Sequence, residues 1–356
     1  MKEAFVFPGL KVEIKDTPIP VAGPGQVLIK VVVCGSNPKD FKMSEWFKDM
    51  PEMDQGNDIA GYVESVGDGV TQYTAGDRVA ALLELFPGGG CAEYAVAKAQ
   101  ATFHLPEKTT FEEGAAIPLA ALTAVVGLYA ADRLALPQPT APATSAIPLV
   151  IYGGSSAVGS YAIQLALRSN IHPLICVAGR AAAHVESMID RSKGDMIVDY
   201  RKGDEAVVQG LKDALDGQKL YHAFDATCDQ NSWINISKVL DSTSGRLTVV
   251  LPPKESLADI AQGKEAALYK EVPKSVHQSM TSVWDVFDKQ LELGKVYCEY
   301  FTKGLEEGWF KAQPQEVCEG GLGGIEGALM KLRDGKASAV KYVFRIGDTP
   351  GAGSGQ

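Results

Sequence analysis

Apolar positions in the first hundred residues fall in short runs, or alternate with polar ones, and glycine or proline closes each stretch. VLIKVVVC at 27–34, DIAGYVESVG at 58–67 and GDRVAALLEL at 76–85 predict strands on this pattern, and together they predict an all-β opening. From Thr110 the pattern changes to FEEGAAIPLAALTAVVGLYAADRLAL, rich in Ala and Leu, and Pro118 inside it predicts two helices with a break at the proline. The next stretch, PQPTAPATSAIP at 137–148, has prolines and small residues that supply no packed element, and reads as an exposed spacer.

After the spacer the chain settles into strand–helix alternation. Strands are expected at 149–154, 173–179, 196–200, 223–228 and 246–251, with helices SYAIQLALRS, AHVESMIDRS, DEAVVQGLKDAL and SWINISKVL between them. Such alternation implies a parallel sheet with right-handed crossovers, so the middle of the chain reads as a doubly wound nucleotide-binding domain of α/β class. A long helical segment follows at 283–308, then a Gly-rich turn, a helix at 324–334 and the strand SAVKYVFRI at 338–346. A final strand that rejoins the opening sheet makes the first domain discontinuous. It would comprise 1–120 and 285–346 around an insert at 121–284, with 347–356 (GDTPGAGSGQ) as a disordered tail.

Composition narrows the classes of function. The 356 residues carry 34 basic and 44 acidic side chains, a net charge of -10, so neither nucleic acid nor an anionic membrane is an expected partner. The six cysteines stand at 34, 91, 176, 228, 298 and 318 without a C-x-x-C pair, which predicts buried thiols rather than a disulfide framework or zinc knuckle. The start, MKEAFVFPGLKVEIKD, lacks the apolar core of a signal peptide, and no run is expected to reach the ~18 apolar residues of a membrane span. A soluble, cytoplasmic protein is the expectation.

The strongest chemical signal is the loop Gly153-Gly154-Ser155-Ser156-Ala157-Val158-Gly159, set between the first strand and first helix of the alternating region. Glycines there permit a tight turn and let the helix aim its N-terminal amides at a pyrophosphate. An NAD site puts an acid at the end of the second strand to bind the ribose 2′-hydroxyl. Here that strand ends Val177-Ala178-Gly179-Arg180, and a guanidinium at this place matches a 2′-phosphate, which favours NADPH. The competing reading of Arg180 is a solvated loop charge.

Many proteins with this order of domains bind catalytic zinc through a cysteine, a His-Glu pair after a glycine, and a further cysteine or acid. This chain has Asn37-Pro38-Lys39-Asp40 and Gly56-Asn57-Asp58 at those places, with Asn57 where the imidazole would stand. No metal is expected. The five histidines, at 104, 172, 184, 222 and 277, show no ligand spacing and read as satisfied or exposed. Trp284, Phe287 and Tyr297 read as core, or as the lining of an acyl-chain cleft.

With Gly61, Gly67, Gly76-Asp77-Arg78-Val79, Ala92-Glu93-Tyr94, Leu105-Pro106, Ala115-Ala116-Ile117-Pro118, Leu122-Thr123-Ala124 and Val198-Asp199-Tyr200-Arg201 added, these motifs span residues 20 to 345. On them the chain resembles the zinc-independent medium-chain dehydrogenase/reductases, the quinone oxidoreductase and enoyl reductase branch. The Pro-rich spacer, the Tyr-Gly-Gly-Ser start of the loop and Asp40-Phe41-Lys42-Met43 look most like fungal trans-acting enoyl reductases that serve polyketide synthases.

The resemblance implies a GroES-like β catalytic domain joined to a Rossmann domain that binds NADPH, and a small-molecule or carrier-bound enoyl substrate. A polyketide synthase is the implied partner, and the oligomeric state a monomer or homodimer. By position, Ser155, Ser156 and Val158 would line the phosphates, Arg180 and Tyr200 the 2′-phosphate and adenine end, and Leu251 and Pro252 the nicotinamide side. Asn37, Lys42 and Thr123 would face nicotinamide and substrate, Lys42 or Thr123, or else a backbone amide or a ribose hydroxyl, donating to an enolate oxygen. Read without the family, Lys42 is a solvated lysine and Thr123 a helix-packing hydroxyl. Related mitochondrial enoyl reductases place a tyrosine soon after the N-P-x-D segment, whereas this chain reads Met43-Ser44-Glu45-Trp46-Phe47. Quinone or enone reduction, and silent NADPH binding, are the competing functions.

Overall fold

The computed structural model describes residues 1–46, 53–86, 89–257 and 269–353; Phe47 and the last three residues of the expected tail lie outside them. The chain divides into two compact units, Met1–Leu119 with Trp284–Gln356, and Ala120–Val283.

The first unit opens with β1 (Lys2–Val6), β2 (Val12–Asp16) and β3 (Gln26–Gly35), then helix α1 (Pro38–Trp46). The strands β4 (Met53–Asp54), β5 (Asp58–Val66), β6 (Arg78–Leu82), β7 (Tyr94–Lys98) and β8 (Thr102–His104) follow. The long β3 organises this part, pairing antiparallel with β5 and with β7, while β5 pairs β6 and β6 pairs β8. Alternation places Val27, Ile29, Val31, Ile59, Val63 and Val79 in one buried cluster.

Helices α2 (Phe111–Gly114) and α3 (Pro118–Tyr129) are separated as Pro118 predicts. A reciprocal cap starts α2: Glu113 N donates to Thr110 Oγ1 at 3.1 Å, and Thr110 N donates to Glu113 Oε2 at 2.8 Å. Contrary to the sequence expectation, Phe111–Tyr129 is long and apolar enough by length and composition to cross a membrane. It is interrupted at the proline and 78% buried within the protein, as expected of a core helix.

The second unit is built on β9 (Leu149–Tyr152), α4 (Ala157–Arg168), β10 (Leu174–Ala178), α5 (Ala182–Glu186), β11 (Met196–Asp199), α6 (Asp204–Leu215), β12 (His222–Asp225), α7 (Ser232–Ser237), β13 (Arg246–Val249) and β14 (His277–Met280). Among the described residues all its strand pairs are parallel, and the order is β11-β10-β9-β12-β13-β14, so the direction of winding reverses at β9. Fully buried Leu149, Val150, Ile151, Ile175 and Val177 fill its central strands.

Three sequence expectations need correction here. The sheet has a sixth strand, β14, whose sequence His277-Gln278-Ser279-Met280 lacks an apolar signature. The helix expected over AHVESMIDRS stops at Glu186, because Asp190 Oδ1 takes the amide and hydroxyl of Ser192 and Arg191 turns back onto Glu186. The spacer is also only partly exposed: Ala143 is buried, its amide donating to Ser169 O at 2.9 Å and its carbonyl accepting Asn170 Nδ2 at 2.7 Å.

The chain then returns to the first unit through a 3-10 turn at Val283–Phe287, α8 (Leu291–Glu307), β15 (Gln315–Val317), α9 (Ile325–Arg333) and β16 (Lys341–Arg345). The break before α8 splits the single helix expected at 283–308. Strand β16 pairs antiparallel with β3, Val343 opposite Gly35, so the end of the chain completes the opening sheet. Residues 347–353 are not a disordered tail. Thr349 is buried, its Oγ1 accepts the amide of Leu322 at 2.9 Å, and Gly353 N donates to Glu93 Oε1 at 2.6 Å. Tyr297 is core, edge-on to Tyr300 and tilted against Phe301.

Candidate active site

The glycine loop sits at the end of β9, where the winding reverses. Gly153 has φ +81°, and a Cβ there would lie 2.2 Å from Thr227 Cγ2. A Cβ on Gly159 would lie 2.2 Å from the Gly153 carbonyl oxygen, so α4 packs its first turn directly on the loop. Both Gly153 N and Gly154 N donate to Val177 O, holding the loop against the end of β10. Ser156 caps α4, its Oγ accepting the amide of Gly159 at 3.0 Å. Ser155 and Val158 are half-buried on the same turn.

Gly179 and Tyr200 come together at the ends of β10 and β11. Arg180, next to them, is exposed. The neighbouring Arg201 is committed to Asp199, its Nε at 2.9 Å and Nη2 at 2.6 Å from the two carboxylate oxygens, and this pairing holds Asp199 down to about 2.

On the other side of the reversal, the loop after β12 turns through left-handed Cys228, Gln230 and Asn231 (φ 52°, 49° and 59°). Fully buried Asp225 organises it, accepting from Thr227 N, Thr227 Oγ1, Cys228 N and Ser232 Oγ. Burial pushes its carboxyl above the ordinary range, against these hydrogen bonds. Leu251 N donates to Cys228 Sγ at 3.4 Å, which ties the Leu251-Pro252 segment to this loop. Gly153, Ser156, Gly179, Tyr200, Thr227 and Leu251 therefore share one edge of the parallel sheet. Asp225 and Thr227 gave no motif in the sequence; the hint was an Asp at a strand end before Thr-Cys. An edge with a capped helix N-terminus and glycines that leave no room for a Cβ fits a dinucleotide pyrophosphate.

In the first unit, the ends of β3, β5 and β16 meet around Asn37, Asp58 and Lys341, at 4%, 0% and 4% exposure. Asn37 Nδ2 donates to Asp58 Oδ2 at 2.7 Å, and Lys341 Nζ donates to Asn37 Oδ1 at 3.3 Å and to Asp58 Oδ2. Asp58 Oδ1 accepts the amide of Leu119, in the first turn of α3, at 2.6 Å. Asn37 N is held by Asp40 Oδ2 at 2.7 Å. Gly35 makes the node possible: a Cβ there would lie 2.3 Å from Ala115 O and 3.0 Å from Lys341 Cε.

Lys42 lies on α1, half-buried, with its Nζ 5.5 Å from the ring centres of both Phe41 and Trp46, so it is a helix residue over aromatic faces rather than a fully solvated lysine. Thr123 is buried in the middle of α3. Asn57, at the imidazole position, is fully buried and gives its Nδ2 to Glu84 O at 2.7 Å. Cys34 and Cys91 are buried with their sulfurs 3.5 Å apart, and the neighbouring thiol and burial push Cys91 well up. His104, His172, His184 and His277 have hydrogen-bond partners, whereas His222, against the expectation of a satisfied or exposed histidine, has a buried Nδ1 without one among the described residues. Among them, His172 Nδ1 meets buried Asp195 Oδ1 at 2.8 Å, an acid 23 positions away, and His184 Nε2 meets Ser160 Oγ at 3.2 Å.

Residues 23–107 match the alcohol dehydrogenase GroES-like domain. Over 323 residues the chain is 51% identical to trans-enoyl reductase fsr4 of Gibberella fujikuroi, covering 90% of this chain and 91% of that relative. The chain belongs to the trans-enoyl reductase family. Among solved structures, this trans-enoyl reductase is similar to the CurK enoyl reductase (TM-score 0.74, 18% identity, covering 96% and 98% of the two chains). It is also similar to mycobacterial Rv1454c complexed with NADPH (TM-score 0.72, 19% identity, 96% and 99%). These likenesses show the fold, and by family the chain is an oxidoreductase.

Proposed function

We propose that this chain is an NADPH-dependent enoyl reductase that acts in trans on an α,β-unsaturated acyl thioester of fungal polyketide metabolism. The 51% identity to a trans-enoyl reductase over nine-tenths of both chains carries the reading. The glycine-lined edge of the parallel sheet and the NADPH complex of a similar fold support the cofactor.

When bound, NADPH supplies a hydride to the β-carbon of the substrate, and negative charge develops on the thioester carbonyl oxygen. Gly153, Gly154 and Gly159 let the backbone close on the pyrophosphate, with Ser155, Ser156 and Val158 lining it. Arg180 supplies the cation for the 2′-phosphate, Tyr200 a surface for the adenine end, and Leu251 and Pro252 the wall beside the nicotinamide. A preorganised donor at the carbonyl oxygen lowers the barrier, and Asn37, Lys42 and Thr123 are the candidates. Lys42 or water supplies a proton to the α-carbon of the enolate. The neutral amides of Asn37 and Asn57, at the places of zinc ligands in metal-binding relatives, suit a reaction without zinc.

The test is NADPH oxidation against a panel of short and long enoyl thioesters, simple enones and benzoquinones. Saturated thioester formed at the expense of NADPH supports the reading. Turnover with quinones alone overturns it.

A further inference from the structure

Lys341 lies 304 positions from Asn37 in sequence, yet it holds one face of that residue's amide. The triangle of Lys341, Asp58 and Asn37 admits one orientation. With Oδ1 toward the ammonium and Nδ2 toward the carboxylate, both amide ends are matched. Turned by 180°, the NH2 would face an ammonium and the carbonyl oxygen a carboxylate, so two hydrogen bonds become two repulsions. Burial keeps water from relaxing that preference.

An amide nitrogen carries two hydrogens, and the triangle uses one of them. The second has no acceptor among the described residues. Asp58 also grips Leu119 N, so the node that sets the amide is anchored to the first turn of α3. A network that spends a buried lysine and a buried aspartate on fixing one amide, and leaves one N–H over, has the form of a preorganised donor held by supports.

We propose that Lys341, acting with Asp58, is a positioning residue of the enoyl reduction: it fixes the Asn37 amide so that the remaining N–H donates to the carbonyl oxygen of the enoyl thioester. The inference rests on the enoyl reductase reading. Lys341 touches neither substrate nor cofactor in this scheme, and it works through Asn37.

The experiment is a double-mutant cycle on the full chain, with Lys341→Met, Asn37→Ala and both together. It reads kcat for an enoyl thioester, the dissociation constant of NADPH by fluorescence, and the thermal melt. Asn37→Ala is expected to lower kcat roughly 10²-fold and Lys341→Met about tenfold. In the Asn37→Ala background, Lys341→Met should cost less than about twofold more, because the group it positions is gone. The NADPH dissociation constant should stay within about twofold throughout. Factors that multiply in the double variant, or an equal loss of NADPH affinity, would show a purely structural lysine and overturn the proposal. If Lys341→Met lacks a cooperative melt, Asp58→Asn with Lys341→Met removes both buried charges and replaces it in the cycle. A wild type that turns over no enoyl thioester fails the functional reading itself, and the positioning role falls with it. A wild type that turns over while the cycle multiplies fails only the positioning role.

Discussion

Gly179 and Tyr200 interlock at the edge of the parallel sheet: a Cβ on Gly179 would lie 2.5 Å from a ring carbon of Tyr200 and 2.8 Å from its hydroxyl oxygen. The ring occupies the space that a side chain on the residue just after β10 would fill. Gly179→Ala therefore displaces a half-buried ring or bends the strand end, an overpacking cost of roughly 1–3 kcal/mol. The expected outcome is a weaker dissociation constant for NADPH by about tenfold with a lower melting temperature. An unchanged constant would remove Tyr200 from the adenine end.

Arg180 follows that glycine and stays exposed, while Arg201 is spent on Asp199. A charge-assisted contact to a phosphate contributes about 1.5–3 kcal/mol, so Arg180→Ala should lower the preference for NADPH over NADH roughly 10- to 100-fold. Binding of both dinucleotides, measured side by side, checks this. Equal weakening of the two would assign Arg180 to the fold instead of the 2′-phosphate.

The Asp58–Lys341 pair predicts an asymmetry in stability. Asp58→Ala leaves the Lys341 ammonium buried without its carboxylate and the Leu119 amide without its acceptor, a loss of about 3–5 kcal/mol. Replacing both, as Asp58→Asn with Lys341→Met, removes the uncompensated charge and should recover most of that loss. Denaturant unfolding of the single and double variants gives the comparison, and equal losses in both would contradict it.

What the sequence made legible follows from how local each signal is. The turn at Gly153–Gly159, the break at Pro118 and the alternation of strands with helices are carried by residues within a few positions of one another, and the structure contains all three. Asn37 and Asp58 were visible as motifs, but Lys341 was not: it stands in an ordinary strand sequence, and only the pairing of β16 with β3 brings it to Asn37. Strand β14 was missed because its pattern is polar, His277 exposed and Ser279 buried against Leu247 O. The early end of α5 was missed because apolar periodicity continues to Ile189 while Asp190 rewards a turn.

His222, at the start of β12, gives a prediction in pH. Burial, reinforced by the charge of Arg246, lowers its imidazole from the ordinary 6.5 to about 4, and its buried Nδ1 has no partner among the described residues. Because the folded value is depressed, the folded protein binds fewer protons than the unfolded chain between these two values. The stabilising effect of the neutral ring is therefore complete above pH 6.5 and is lost as pH falls toward about 4. Up to roughly 3 kcal/mol is at stake across that window. Melting curves from pH 8 to about 4.5 should show the wild type losing more stability below pH 6.5 than His222→Gln, whose side chain has no proton to gain. Parallel curves for the two proteins would mean that another group, with the buried Asp225 the nearest at three positions along the same strand, governs acid stability.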